Sequence, residues 1–252
     1  MRRSTRFSGL FLLFTFLLSI TLPSFAMPTE ATAKTALVYN GSFASGASDF
    51  EGMLTKAGYT VEYFTNVNSL KTKMPSAKVV LFPGTDDNAG SLEDFIQQFE
   101  ADTIQGLKDF VSRGGRYIGV CGGAYIMSTT YTTAFDSGTG IGLAEFSTEG
   151  YSESDEATII PITWKDTDRT IYYQLGPKMI CDEALNSQTI ATYEDDSVAA
   201  CIINVGQGKI FLVGPHPEVL VDNLEESDIP DGTLEDLTDT SDMLTDIMTE
   251  LG

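Results

Sequence analysis

The chain has one histidine, three cysteines and only 15 Lys and Arg against 36 Asp and Glu among its 252 residues. Each scarcity excludes something. Three cysteines with no Cys-x-x-Cys pair do not make a disulfide scaffold. A single histidine leaves no histidine cluster to hold zinc. A formal net charge of −21 repels nucleic acid and anionic membranes and hinders a polyanionic substrate. No internal repeat or low-complexity tract is present, and no acidic loop has EF-hand spacing. The one long apolar run, Gly9 to Leu22, has 14 residues, too few to span a bilayer comfortably.

That run follows Arg2, Arg3 and Arg6 and precedes Pro23-Ser24-Phe25-Ala26, with small residues at the usual −3 and −1 positions. Residues 1–26 therefore read as a secretory signal peptide, and the expected location is secreted or periplasmic. No cysteine follows the run, which argues against a lipid anchor, and no stable membrane insertion is expected after cleavage. The remaining 226 residues suffice for one domain with a substantial core. Losing three arginines and no acid moves the net charge to −24. If two cysteines pair, Cys181 and Cys201 are the candidates, with two buried thiols as the alternative.

Apolar patterning gives an alternating order. Strands are expected over Thr35 to Tyr39, Thr60 to Phe64, Ala77 to Phe82 and Arg116 to Val120, with helices over Ser45 to Ala57 and Thr103 to Arg113. Gly114-Gly115 closes the second helix, and a further helix begins near Gly122. This order implies an α/β fold with a mainly parallel central sheet and helices on both faces. After Gly138 strand-like runs follow closely: Thr158 to Trp164, Thr170 to Tyr173, Gln188 to Tyr193, Val198 to Val205 and Lys209 to Val213, with a hairpin turn at Gly206-Gln207-Gly208. Some antiparallel additions are expected there. Residues 222–252 hold eleven acids and no Lys or Arg, and Leu237, Met243, Leu244, Ile247 and Met248 suit one face of a terminal helix. The rest of that segment reads as a solvated acidic face or a partly disordered one.

Two short runs carry chemistry. Cys121 lies in Gly119-Val120-Cys121-Gly122-Gly123, just past a strand. A nucleophile on so tight a turn needs small neighbours. The start of the following helix favours thiolate, and the Gly122 N–H is placed to hold an oxyanion. The only histidine lies 95 residues later, in Gly214-Pro215-His216-Pro217-Glu218. Residues i and i+2 of an extended segment point the same way, so Glu218 is placed to orient His216 toward a thiol proton. Both runs follow strands whose carboxyl ends share one sheet edge. At that edge, Leu81-Phe82-Pro83-Gly84 offers a second oxyanion donor near Gly84, Asp86 a residue to orient the loop or a substrate, and Asn40 a polar group. Asn40-Gly41-Ser42 also matches a glycosylation sequon, against which its cleft-edge position argues.

These runs resemble the class I glutamine amidotransferase-like superfamily, and within it the biotin-protein ligase N-terminal domain family. The matching runs are Ala36 to Gly41, Leu81 to Gly84, Phe110 to Tyr125 and Gly208 to Glu218, and the domain so marked covers 35–221. The resemblance implies a flavodoxin-like fold and a catalytic Cys121, His216, Glu218 triad, with no cofactor. Glutamine-using members carry glutamine four residues after the cysteine, where this chain has Tyr125. That departure argues against glutamine as substrate, and the lack of a synthetase or ligase domain argues against amidotransfer and biotin ligation. The expected activity is hydrolysis of an amide or γ-glutamyl-type bond in a small molecule or peptide. The alternatives are a non-catalytic binding module on the same fold and a redox or glyoxalase-like cysteine protein, in which Glu218 would have no evident task.

Overall fold

The computed structural model describes residues 34–181, 185–225, 228–229 and 234–252, so the signal-peptide reading of 1–26 lies outside the described residues. In the first half the elements are β1 (Lys34–Tyr39), β2 (Ala44–Ser45), α1 (Glu51–Lys56), β3 (Tyr59–Phe64), α2 (Leu70–Lys73), β4 (Ala77–Phe82) and β5 (Gly84–Thr85). They continue with α3 (Leu92–Ile96), α4 (Ala101–Ser112), β6 (Arg116–Val120) and α5 (Gly122–Tyr125). The second half adds β7 (Thr130–Thr132), β8 (Ser137–Thr139), β9 (Phe146–Gly150), β10 (Thr158–Trp164), β11 (Thr167–Tyr173) and β12 (Pro177–Cys181). It closes with β13 (Ser187–Tyr193), β14 (Val198–Val205), β15 (Gly208–Val213) and α6 (Ser241–Leu251).

One sheet organises the chain. Strands β3, β1, β4, β6 and β15 run in that order and all in parallel. Antiparallel β14 then extends the sheet through β12, β9, β7 and β8, while β13 pairs with β14 and carries the β10–β11 hairpin. The parallel core and the antiparallel additions are those the apolar pattern implies. Strand alternation divides the buried side chains between two faces. Ala36, Val38, Val79, Leu81, Ile118 and Val120 face α1 and α6. Leu37, Val80, Phe82, Tyr117, Ile210 and Leu212 face α2 and α4. Each large apolar side chain so buried contributes roughly 1.5–3 kcal/mol.

Local signals account for the ends. Gly114, at φ 107°, takes the chain left-handed out of α4 and donates its N–H to Val111 O at 2.9 Å. Gly206, at φ 59°, forms the turn between β14 and β15. Elsewhere the structure departs from the pattern. The helix after Cys121 is a single turn, because Ile126, Met127 and Ser128 give their carbonyls to Ile141, Leu143 and Gly142 instead of continuing it. Strands β7, β8, β9 and β12 had no clear alternation to announce them. Cys181 on β12 and Cys201 on β14 are free thiols, and a hydrogen bond from Cys201 holds Cys181 down to about 7.

Candidate active site

Cys121 sits where β6 breaks into α5, with φ 48° and ψ −109°. A non-glycine residue rarely adopts that backbone, and it persists only where its surroundings over-determine it. Here they do. Cys121 N–H donates to Val213 O at 2.9 Å, Gly123 N–H to Pro83 O at 3.1 Å, and Ala124 N–H to Cys121 O at 2.9 Å. Gly122 and Gly123 have no space for a side chain. A Cβ on Gly122 would meet Thr85 at 2.3 Å, and one on Gly123 would meet Phe82 O at 2.1 Å. The small residues flanking the cysteine are therefore a packing requirement.

His216 follows β15, next to β6 in the sheet, so both groups emerge at the same carboxyl edge. Its N–H donates to Tyr172 O at 2.9 Å and its ring meets the Tyr172 ring edge-on, with centroids 5.6 Å apart. Nδ1 lies 2.8 Å from Glu218 Oε1. Glu218 is 2 % exposed, and its Oε2 is buried with no hydrogen-bond partner among the described residues. Burial draws the His216 imidazole down. The Glu218 carboxylate, and then the hydrogen-bonded Cys121 thiol, outweigh burial and hold the ring well above its usual 6.5. Asp49, at the foot of α1, is raised by burial and by the Glu218 charge.

Gly84 lies against this pair: a Cβ there would meet His216 Cε1 at 2.9 Å and Cys121 Cβ at 3.9 Å. Its backbone, however, is paired. Asp86 N–H donates to Phe43 O at 3.0 Å, and in the alternating antiparallel ladder of β2 and β5 the next bonded pair is Ser45–Gly84. Gly84 is thus paired with Ser45 of β2 while it packs closely against Cys121 and His216. Gly122 opens α5, and its N–H is among the first-turn donors that no intrahelical carbonyl takes.

The other expected site residues divide. Tyr125 is buried beside the cysteine and lines the cavity. Asp86 caps the turn after β5, accepting from Asn88 N–H at 2.9 Å, and so orients the loop. Asn40 is exposed and its N–H donates to Phe64 O. Neither Asp86 nor Asn40 lines the cavity over Cys121.

That cavity measures about 580 Å³. Its roof is a strap the sequence did not disclose, Tyr172–Leu175 at the end of β11. Gln174 O accepts from the Cys121 thiol at 3.6 Å and Leu175 O from the Tyr125 hydroxyl at 3.1 Å. Leu175 is left-handed at φ 54°. Gly176-Pro177, directly after it, was the available signal of a turn there. The far wall is the turn between β7 and β8, carrying Phe135 and Asp136.

Residues 35–142 match the family described as biotin-protein ligase, N terminal. No curated protein matches the chain. Among solved structures, a chain of PurLQS from Thermotoga maritima is 14 % identical with a TM-score of 0.56, over 86 % of this chain and 98 % of that one. A glutamine amidotransferase from the same organism is 12 % identical with a TM-score of 0.54, over 86 % of this chain and 94 % of that one. At such identities the likeness is one of fold. The likeness in fold extends over most of the chain, while the biotin-protein ligase N-terminal match covers residues 35–142, less than half of it.

Proposed function

We propose that the chain is an exported cysteine hydrolase of an amide bond in a small molecule or peptide. The observation that carries this reading is the left-handed Cys121 lining a cavity, beside a histidine whose Nδ1 is 2.8 Å from a buried carboxylate. Glu218 on Nδ1 leaves Nε2 of His216 to exchange a proton with the thiol. The thiolate attacks the carbonyl, a C–S bond forms, and the Gly122 N–H receives the developing oxyanion. The C–N bond then breaks, with His216 returning its proton to the leaving amine. Water, deprotonated by His216, cleaves the thioester and frees the thiol. Tyr125 supports hydrolysis over glutamine transfer, since its hydroxyl is spent on Leu175 O. The 1–26 segment supports export.

The test is turnover of a panel of amides and γ-glutamyl peptides by wild type and Cys121→Ala. The variant is expected to lose turnover entirely, and full retained activity sinks the triad. Alkylation by iodoacetamide, followed at the Cys121 peptide because Cys181 also reacts, adds a readout free of substrate choice. An activated thiol reacts well below the ordinary thiol pKa of about 8.5. A Cys121 that reacts only above it turns the reading toward a non-catalytic binding module.

A further inference from the structure

We propose that the cavity over Cys121 selects ligands that carry positive charge, so that the substrate is an amide bearing an ammonium or guanidinium group rather than one ending in a free carboxylate. The inference deepens the hydrolase reading and rests on the same cavity. Four carboxylates line it: Asp49, Asp136, Asp155 and Glu218. Among the described residues no Lys or Arg does, and the one lining base, His216, is already paired with Glu218. The roof adds acceptors. Gln174 O and Leu175 O take the Cys121 and Tyr125 hydrogens and keep their second lone pairs. Glu218 Oε2, fully buried in the lining, has no donor among the described residues.

Aromatic faces complete the set. Tyr125 and Tyr172 line the cavity, and so does Phe135, 68 % exposed at the β7–β8 turn. A cation over such faces is attracted by the ring quadrupole, the more so as it is desolvated. Phe135 leaves most of its ring open to solvent, where a cationic ligand can meet it. Low-dielectric walls lined by one sign of charge also focus the field, raising the local concentration of cations and depleting anions.

The test reads the thiol itself. Methanethiosulfonates bearing an ammonium, a neutral or a sulfonate group form a mixed disulfide with a thiolate and expel a sulfinate, so no turnover is needed. Rates at the Cys121 peptide are divided by those of a small free thiol. The ammonium reagent is expected to outpace the sulfonate by about tenfold or more, with the neutral one between. Asp136→Asn with Asp155→Asn is expected to cut that ratio several-fold. A ratio near one overturns the proposal. An unchanged ratio in the double variant does so too, because the preference then belongs to the net charge of the chain and not to the cavity. If the ratio holds while no amide is cleaved, the hydrolase reading fails and the charge selection stands. If amides are cleaved while the ratio is one, the reverse is true.

Discussion

His216 keeps its proton in a place where burial alone would remove it, and Glu218 is the main reason. A single histidine makes this directly measurable, because one imidazole signal titrates in the proton NMR spectrum. Glu218→Gln keeps the shape and removes the charge, leaving burial opposed mainly by Cys121. The His216 pKa is expected to fall, and an unchanged titration would show that Glu218 does not set it. Stability follows the same sign. A raised folded-state pKa contributes stability that is fully present below the unfolded value near 6.5 and is lost as pH rises through the folded value. The variant should lose that slope, as read by urea melts between pH 6 and 9. Cys121, His216 and Glu218 were legible in the sequence because each lies in a short run whose neighbours impose its geometry. Asp49 and Gln174 were not, because they reach the cavity from the turn before α1 and the strap after β11, tens of residues away from either run, and only the tertiary fold brings them there.

Helix α6 shows what an acidic segment conceals. Its spacing suggested one apolar helix face within an otherwise solvated segment, and Met243, Leu244, Ile247 and Leu251 are buried against the sheet. Basic residues of the domain meet its acids. Lys165 lies 3.1 Å from Asp246 and 2.8 Å from Glu250, Arg169 pairs with Asp242, and Trp164 Nε1 donates to Asp246 at 3.1 Å. Arg116 and Lys209 donate to the carbonyls of Leu251 and Glu250, the terminal acceptors that a helix cannot satisfy itself. Magnitudes decide which contact holds the helix. These pairs are about one-third exposed, where an ion pair is worth roughly 0–1 kcal/mol. Truncating a buried Ile costs roughly 2–5 kcal/mol. Ile247→Ala is therefore expected to lower the unfolding free energy by about 2–5 kcal/mol in urea, and Asp246→Asn by less than about 1 kcal/mol. The reverse order would mean that charge pairing holds the helix. The apolar spacing of α6 was readable, since Met243, Leu244 and Ile247 recur at helical intervals. Its docking was not, since the basic partners lie on β6, β11, β15 and the β10–β11 turn. Strands β7, β8 and β9 were missed for a related reason. Thr129 to Gly150 is rich in Ser, Thr and Gly, so its pairing is fixed by neighbouring strands and not by its own alternation.

At the scale of the whole molecule the 36 acids outnumber the 15 bases so far that most carboxylates have no basic partner to meet. The folded state confines this charge, and the unfolded chain spreads it out, so repulsion works against folding. Specific pairs oppose the trend: Lys71 with Glu100, Lys73 with Glu62, Lys178 with Glu149, and the α6 set. Salt weakens both, but not equally. The pairs act at hydrogen-bond range, while the repulsion acts over distances that the screening length shortens from about 30 Å at 0.01 M to about 10 Å at 0.1 M. Long-range repulsion should therefore be screened first. The expected outcome is a Tm that rises with NaCl between about 0.01 and 0.5 M at pH 7, by several degrees in calorimetry, with the steepest part below about 0.1 M. A Tm that falls with salt would mean that the basic residues are placed well enough for local pairing to outweigh the net charge.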